Sequence, residues 1–200
     1  MKHLLSLKEL SKEDIEELIS YASKIKKNQE KYHDTLKAKT LLMIFEKPSL
    51  RTRVSFEVGM TQLGGHAIFL DAKDAPLGKK ETVSDTAKAS SRYCDIIMAR
   101  LFSQTILEKL ANNSTVPVIN GLTDIFHPCQ ILSDLFTIHE KKKKLKVLKL
   151  CYLGDGNNNM THSLLLGCSI VGINITIGCP KGHKPLWWVI NLAKKNTKRS

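Results

Sequence analysis

The sequence predicts an α/β protein: a mostly parallel sheet with helices on both faces, followed by an incomplete second α/β unit. Two observations lead to this fold class. Short apolar runs alternate with segments of helical spacing through the first 140 residues, a pattern typical of parallel sheets whose connections are helices. After the lysine-rich stretch at 140–144 the alternation restarts but supplies only two more strands. We therefore predict one domain over residues 1–140 and a partial second domain over residues 145–200.

Each element of the first domain has a local signal. The first helix begins after Ser11, which forms a capping pattern with Asp14, and apolar residues continue it at helical spacing. A buried strand is predicted at about 40–45, and the helix after it ends near residue 63, before Gly64-Gly65. The remaining elements, in order, are a strand at 66–70, a helix at 82–93, a strand at 95–100, a helix at 106–112, a strand at 116–120 and a helix from Pro128 to about 140.

The second part repeats the alternation once. The predicted elements are a strand at 146–153, a helix at 162–171, a strand at 174–178 and a helix at 186–195. Two strands make a poor independent sheet, because each leaves one side without a neighbour.

Composition limits the possible partners. The chain has 31 Lys and Arg against 19 Asp and Glu, for a formal net charge of +12, which favours anionic partners. The basic residues are spread along the chain, without interleaved aromatic residues or Cys/His finger spacing. We therefore expect no nucleic-acid partner. A basic protein that binds nucleic acid in a salt-dependent way stays open as the alternative from a different class.

Cysteine spacing and hydropathy indicate a cytoplasmic location. The five cysteines are widely separated and contain no CxxC pair, which is typical of reduced cysteines and not of disulfide frameworks or zinc sites. Charged residues interrupt the N-terminal region, so no signal peptide is expected. The longest apolar stretch, 164–177, is broken by two glycines and is too short to span a bilayer. We expect no membrane association and no metal.

The most informative segment runs from residue 45 to residue 57, Phe-Glu-Lys-Pro-Ser-Leu-Arg-Thr-Arg-Val-Ser-Phe-Glu. It follows a predicted strand and opens a predicted helix. Backbone N–H groups and the positive end of the helix dipole meet at such a place, and arginine adds forked donors that match phosphate oxygens. The segment predicts a phosphate or carboxylate site, with a solvent-facing arginine-rich helix turn as the alternative.

A second group of polar residues surrounds the start of the helix at Pro128. Proline suits the first helical position, so His127 falls near the cap and Gln130 in the first turn. An imidazole can donate to a carbonyl oxygen, and an amide can bind an NH2 group. A histidine that merely caps its own helix is the alternative. Arg100 ends the third strand, at the sheet edge where ligands of parallel sheets gather.

The third motif is Gly154-Asp155-Gly156-Asn157-Asn158, directly after a predicted strand. Glycines there allow a tight turn and bring the backbone close to a ligand. A dinucleotide site is the competing function, but the sequence lacks GxGxxG.

Together the three motifs resemble the aspartate/ornithine carbamoyltransferase superfamily, in its ornithine branch. Ser-x-Arg-Thr-Arg resembles the carbamoyl-phosphate signature, His-Pro-Cys-Gln the second such signature, and Gly-Asp-Gly-Asn-Asn the ornithine-binding loop. The resemblance implies that the second unit is a Rossmann-like ornithine domain. It also implies carbamoyl transfer from carbamoyl phosphate to the δ-amine of L-ornithine, giving L-citrulline, in arginine biosynthesis or the arginine deiminase pathway.

The resemblance also implies roles for individual residues. The residues that cradle phosphate are Ser49, Leu50, Arg51 and Thr52, the first three partly through backbone N–H groups. The residues that stabilise the oxyanion are Arg100, His127 and Thr52, and Gln130 binds the carbamoyl NH2. Asn158 contacts ornithine, with Asn157 and Asn159 as alternatives because this stretch is one residue longer than the family spacing. Cys129 is not expected to be a nucleophile, since the amine attacks directly.

The family needs no metal or organic cofactor. Its members form homotrimers or multiples of trimers, and the loop at about 74–82 would reach toward a neighbouring subunit. Family members also carry a Ser-Met-Gly loop and a His-Cys-Leu-Pro motif, which this sequence lacks, so we expect a C-terminally truncated chain with Trp187 and Trp188 exposed. A carbamoyl-phosphate-binding fragment with little turnover, or a carbamoyltransferase that acts on another amine such as putrescine, are the alternatives.

Overall fold

The computed structural model describes residues 3–73, 77–78 and 81–197. The predicted loop at 74–82 therefore lies largely outside the described residues. The helices are α1 (Lys12–Lys27), α2 (Leu50–Gln62), α3 (Val83–Tyr93), α4 (Gln104–Asn113), α5 (Pro128–Lys142), α6 (Asn159–Val171) and α7 (Trp187–Thr197). The strands are β1 (Thr40–Phe45), β2 (His66–Asp71), β3 (Ile96–Arg100), β4 (Val118–Leu122), β5 (Lys149–Leu153) and β6 (Asn174–Gly178).

The first sheet is parallel throughout, with the strand order β2-β1-β3-β4. From β1 the chain first moves outward to β2 and then returns to β3 on the other side of β1. The order therefore reverses between β1 and β3, and the crevice beyond the carboxyl ends of two such strands is the usual ligand site of open α/β sheets. Phe45 pairs with Arg100 at this point, so the segment after β1 and the end of β3 are neighbours.

Side-chain alternation along the strands places helices on both faces of this sheet. On β1, Leu41, Met43 and Phe45 pack with Met60 of α2. Ile44 points to the opposite face and joins the cluster that contains residues of α3 and α4. This arrangement confirms the predicted α/β class with a parallel sheet between two helical layers.

The second sheet consists of β5 and β6, which are parallel and paired from Lys149↔Asn174 to Leu153↔Gly178. The core beside it is built around α6, whose residues are nearly all buried from Thr161 to Val171. A helix that is apolar on every side belongs in the interior, and α6 packs there with residues of α1, α5 and α7.

The remaining differences from the predicted elements are local. β5 begins at Lys149 instead of residue 146, because Val147 has a φ of 62° and left-handed backbone cannot continue a strand. β4 lies two residues later than predicted. A short 3-10 helix at Gln29–Tyr32 was not predicted.

The contacts divide the chain into two compact units. Unit 1 comprises Met1–Leu5 and Ser23–Asp124, and unit 2 comprises Ser6–Ala22 and Ile125–Ser200. α5 and the part of α1 up to Ala22 fall in unit 2 because their apolar faces pack with α6. The predicted domains, 1–140 and 145–200, place their boundary at the lysine-rich stretch instead, and this division stays a prediction.

Candidate active site

The start of α2 is built as an anion site in unit 1. Ser49 is the cap residue in extended conformation, and its Oγ accepts a hydrogen bond from the Thr52 backbone N at 3.4 Å. Serine is favoured at such a cap because its oxygen replaces a missing intrahelical acceptor. The other N–H groups of the first turn have no carbonyl of their own helix to bond, and they share the positive end of its dipole.

Two hydroxyl groups and one guanidinium group meet at this helix start. The Ser49 Oγ donates to the Thr52 Oγ1 at 3.0 Å, and the Arg100 Nη1 donates to the same Oγ1 at 3.3 Å. The Arg100 Nε is buried and meets no hydrogen-bond partner among the described residues. The sheet register explains the contact with Thr52, because Arg100 ends β3 directly beside the end of β1.

The electrostatics of this site favour an anion. Burial, and secondly the positive charge of Arg51, hold the pKa of Arg100 below its ordinary value. Two guanidinium groups close enough to affect each other are repulsive unless negative charge lies between them. The arrangement therefore suits a phosphate group, whose oxygens can accept from both arginines and from the helix start.

The two arginines of the motif have different surroundings. Arg51 and Leu50 are exposed at the helix start. Arg53, by contrast, donates from Nε to Glu57 at 2.9 Å and stacks 3.8 Å from the centre of the Phe69 ring. Arg53 is thus held against α2 and β2. The resemblance assigned a phosphate role to Arg51 and none to Arg53. Both arginines are exposed, and the structure distinguishes them by the contacts of Arg53 with Glu57 and Phe69.

The loop between β1 and α2 is tied to the end of β3. The Glu46 backbone N donates to the Arg100 carbonyl oxygen at 2.9 Å, and a Glu46 carboxylate oxygen accepts from the Phe102 N at 2.9 Å. Lys47 pairs with Asp124 and lies 4.4 Å from the centre of the Phe102 ring. These contacts fix the loop that carries Ser49. These contacts leave no signal in the sequence because they join residues more than fifty positions apart.

His127 and Gln130 lie in unit 2, at the start of α5. His127 is the cap residue without a capping bond from its side chain, and Pro128 occupies the first helical position as predicted. Gln130 is exposed, and its Nε2 donates to Asp134 at 3.0 Å. Burial raises the pKa of the Cys129 thiol to about 12, so this thiol is protonated at neutral pH and unsuited to nucleophilic attack.

The asparagine run lies at the start of α6. Asn158 is the cap residue, and its Oδ1 accepts from the backbone N of Met160 at 2.8 Å and of Thr161 at 3.0 Å. The Asn158 Nδ2 donates to the Tyr152 hydroxyl at 3.0 Å. Asn157 is exposed, while Asn159 opens the helix. The Asn158 side chain is thus already engaged in shaping the loop.

The predicted residues therefore form one cluster in unit 1 and a second set in unit 2. Ser49, Thr52 and Arg100 are in direct contact, with Leu50 and Arg51 on the same helix turn. In unit 2 the predicted residues occupy the starts of α5 and α6. Sequence reasoning missed Ser163, whose Oγ accepts from the His127 backbone N at 2.9 Å. The only sequence signal was a polar pair, His162-Ser163, directly before a mostly apolar run at 164–171.

Within residues 3–73, 77–78 and 81–197, no three His, Cys, Asp or Glu side chains come together as metal ligands. Over the same part of the chain, no helix has the length and apolar character required to cross a bilayer.

Comparison with known families now identifies the class. Residues 2–140 match the model of the aspartate/ornithine carbamoyltransferase carbamoyl-phosphate-binding domain, and residues 146–200 match the model of the aspartate/ornithine-binding domain. The chain belongs to the aspartate/ornithine carbamoyltransferase family, and the family predicted from the three motifs is confirmed.

Individual relatives are more specific. The chain is 55% identical over 185 residues to ornithine carbamoyltransferase from Bacillus subtilis, covering 92% of this chain and 57% of that protein. It is 48% identical over 193 residues to ornithine carbamoyltransferase from Methanocaldococcus jannaschii, covering 96% of this chain and 63% of that protein. The chain thus spans about three fifths of the length of these curated relatives.

A solved structure agrees with the sequence matches. Ornithine carbamoyltransferase from Pyrococcus furiosus superposes with a TM-score of 0.96 at 46% identity, over 99% of this chain and 64% of that one. The fold of both units is therefore that of the family.

Proposed function

We propose that this chain transfers the carbamoyl group of carbamoyl phosphate to the δ-amine of L-ornithine, giving L-citrulline and phosphate. The observation that carries the proposal is the cluster at the start of α2, where Thr52 and Arg100 are in contact beside the exposed Arg51. The relatives are named ornithine carbamoyltransferases, which supports ornithine as the acceptor. In this assignment residues 1–140 are the carbamoyl-phosphate-binding domain and residues 145–200 are part of the ornithine-binding domain.

Binding of carbamoyl phosphate uses the features of the helix start. Phosphate oxygens would accept from the backbone N–H groups of the first turn, from the Ser49 hydroxyl and from Arg51. Arg100 would donate to both the phosphate and the carbonyl oxygen, with Thr52 beside it. In unit 2, His127 would donate to the carbonyl oxygen and Gln130 would bind the carbamoyl NH2 through its amide.

The reaction follows from these contacts. The neutral δ-amine attacks the carbonyl carbon, and the carbonyl oxygen becomes an oxyanion. Donors from Thr52, Arg100 and His127 stabilise that charge as it develops. The C–O bond to phosphate then breaks, phosphate leaves with the bonding electrons, and the amine nitrogen loses its extra proton. Catalysis here rests on positioning and electrostatics, and the high pKa of Cys129 agrees with direct attack by the amine.

Ornithine is assigned to the loop before α6. We propose that Asn158 contacts the amino-acid backbone of ornithine, with Asn157 and Asn159 as the alternatives. The exposed position of Asn157 keeps that alternative open, because the Asn158 carboxamide already caps α6. Citrulline formation by Asn157→Ala, Asn158→Ala and Asn159→Ala separates them, since loss of the ornithine contact raises the KM for ornithine and leaves the KM for carbamoyl phosphate unchanged.

Citrulline formation by the purified chain tests the proposal. The variant is Arg51→Ala, and the matched control is Arg92→Ala, which removes an exposed arginine from the last turn of α3. We expect Arg51→Ala to weaken carbamoyl phosphate binding by roughly ten- to a hundredfold, because a hydrogen bond to a charged group is worth about 1.5–3 kcal/mol. Equal effects from the two variants contradict the role of Arg51.

Carbamoyl phosphate binding without transfer is the second candidate. It is favoured by the location of all the phosphate-facing groups within unit 1, so that phosphate binding needs only this unit. Calorimetric titration with carbamoyl phosphate, together with a citrulline assay, distinguishes the two. Binding without citrulline supports the second candidate, and citrulline formation excludes it. Replacing ornithine by putrescine in the same assay tests the other acceptor.

Assembly and location complete the proposal. We propose a homotrimer, or a multiple of trimers, in the cytoplasm, because the family assignment implies both. The molar mass from light scattering tests the assembly: one trimer of a 22.5 kDa chain differs threefold from a monomer.

A further inference from the structure

Two consecutive polar residues of α6 contact the segment that carries His127. The His162 Nδ1 lies 3.2 Å from the Ile125 carbonyl oxygen, and the Ser163 Oγ accepts from the His127 backbone N at 2.9 Å. Both side chains belong to residues that are 1% exposed. We call residues 125–127 the His127 segment. It is therefore held from α6 at both its first and its last residue.

These polar side chains are unusual for their position. They lie on a helix whose other core residues are mostly apolar, and burying a polar group is unfavourable unless it forms hydrogen bonds. A helical serine commonly bonds a carbonyl of its own helix, as Ser169 does with Leu166 at 2.8 Å. Ser163 instead accepts from a backbone group 36 residues earlier in the chain.

The His127 segment lacks the usual support for a helix start. His127 has φ −139° and ψ 70°, and its side chain makes no capping bond. Its backbone N precedes the helix and cannot join the helical ladder, so the Ser163 hydroxyl is its acceptor. Phe126, the middle residue, packs edge-to-face with Trp188 at a centroid distance of 5.8 Å. Each residue of the segment is therefore contacted by a residue of α6 or of α7.

His162 extends this support to the start of α7. Its Nε2 accepts from the Leu186 backbone N at 3.2 Å. Because Nε2 is the acceptor, the ring proton is on Nδ1, where it can be donated to the Ile125 carbonyl oxygen. Both contacts require the neutral ring with this tautomer.

We propose that His162 and Ser163 are positioning residues, which hold the His127 segment so that the His127 imidazole is fixed in the orientation needed for the carbamoyl oxygen. This inference rests on the proposed function for its catalytic meaning. Its structural part concerns unit 2 alone. Neither residue touches substrate in this proposal, and both act through the backbone of the segment.

The first measurements use the unmodified chain. Amide hydrogen exchange should be at least roughly tenfold slower at His127 than in an open chain, because its N–H is buried in a hydrogen bond. Nitrogen-15 shifts of His162 should show a neutral ring protonated at Nδ1. An unprotected His127 amide, or the opposite tautomer at His162, overturns the proposal.

The variant test is Ser163→Ala, with Ser169→Ala as the matched control from the same buried helix. We expect Ser163→Ala to change the titration of the His127 imidazole and to weaken carbamoyl phosphate binding roughly fivefold, in keeping with one lost hydrogen bond. Ser169→Ala should leave both unchanged, and Ser163→Thr, which keeps the hydroxyl, should recover both. If the two alanine variants change the His127 titration equally, Ser163 has only a packing role, and the proposal is overturned.

The proposed function and this inference fail in different ways. Absence of carbamoyl phosphate binding to the unmodified chain overturns the proposed function. The exchange, tautomer and titration measurements need no ligand, so they decide whether His162 and Ser163 fix His127 in either case.

Discussion

Gly156 is packed so closely that any side chain should destabilise unit 2. A Cβ at this position would lie 2.5 Å from the His183 carbonyl oxygen, 2.9 Å from a carbon of Pro185 and 3.2 Å from the Cys179 Cβ. The nearest atom belongs to the backbone and cannot rotate away. Gly156→Ala therefore requires movement of the chain at residues 183–185 or of the loop that carries Asn158.

The expected change in the free energy of unfolding for Gly156→Ala follows from two opposing effects. Overpacking typically costs about 1–3 kcal/mol, and a clash with backbone belongs at the upper end. Alanine in place of glycine also reduces the freedom of the unfolded chain, which returns about 0.4–1 kcal/mol. The steric effect is larger, so we expect a net loss of about 2 kcal/mol, close to a thirtyfold shift in the unfolding equilibrium.

Urea denaturation followed by tryptophan fluorescence measures this loss. The chain has two tryptophans, Trp187 and Trp188, both at the start of α7 in unit 2, so the signal reports on the affected unit. Gly59→Ala is the control, because a Cβ there meets nothing within 4 Å; followed by circular dichroism, it should stabilise α2 by up to about 1 kcal/mol. A Gly156→Ala variant as stable as the unmodified chain would refute the steric argument.

Three further predictions concern the helices. Ser49→Ala should lower the free energy of unfolding by about 1 kcal/mol through loss of the α2 cap. The control Ser55→Ala, on the same helix, should change it by less than about 0.5 kcal/mol. Thermal unfolding compares the two variants, and equal losses would contradict the capping role of Ser49. Burial holds the pKa of His162 below its ordinary value of 6.5, so the unfolded chain takes up the proton first as the pH falls. The contribution of His162 to stability is therefore complete above about pH 6.5 and decreases below it. Urea midpoints at pH 7.5 and 5 should differ more for the unmodified chain than for His162→Gln, and equal differences would contradict a neutral, buried His162. Gly167→Ala would place a Cβ 2.7 Å from a methyl group of Ile131 in α5. The cost of overpacking should exceed the gain in helix propensity of about 1 kcal/mol, so the variant should be less stable. A stabilised variant in the same urea assay would contradict this packing.

The elements near the site could be predicted because their signals are local. The strand at 40–45, the helix that opens in the 45–57 segment and the proline at the first position of α5 were each predicted from neighbouring residues, and the structure confirms all three. The start of β5 was predicted three residues too early. Apolar residues at 147 and 148 are compatible with a strand, but Val147 adopts a left-handed turn whose N–H bonds the Gly172 carbonyl oxygen.

The structure also gives a different reason for the glycine at position 156 than the sequence predicted. Its glycines predicted close approach to a ligand, but Gly156 is required by close approach to the protein's own backbone at His183. Trp187 and Trp188 are both exposed as expected, at 77% and 45%, but Trp188 also packs on Phe126. Both outcomes depend on contacts between segments more than twenty residues apart, which local pattern does not contain.

By itself, the sequence determined the alternating α/β plan, the family and the positions of the three motifs, because periodicity, capping and motif chemistry are properties of adjacent residues. Only the tertiary structure decided which motif residues contact one another. Strand order brings Arg100 to Thr52 and leaves Arg53 against Phe69. Burial of α6 turns Ser163 toward the His127 backbone. The physical reason is that sheet register and helix packing set distances between residues far apart in the chain, and these distances determine which polar groups share a site.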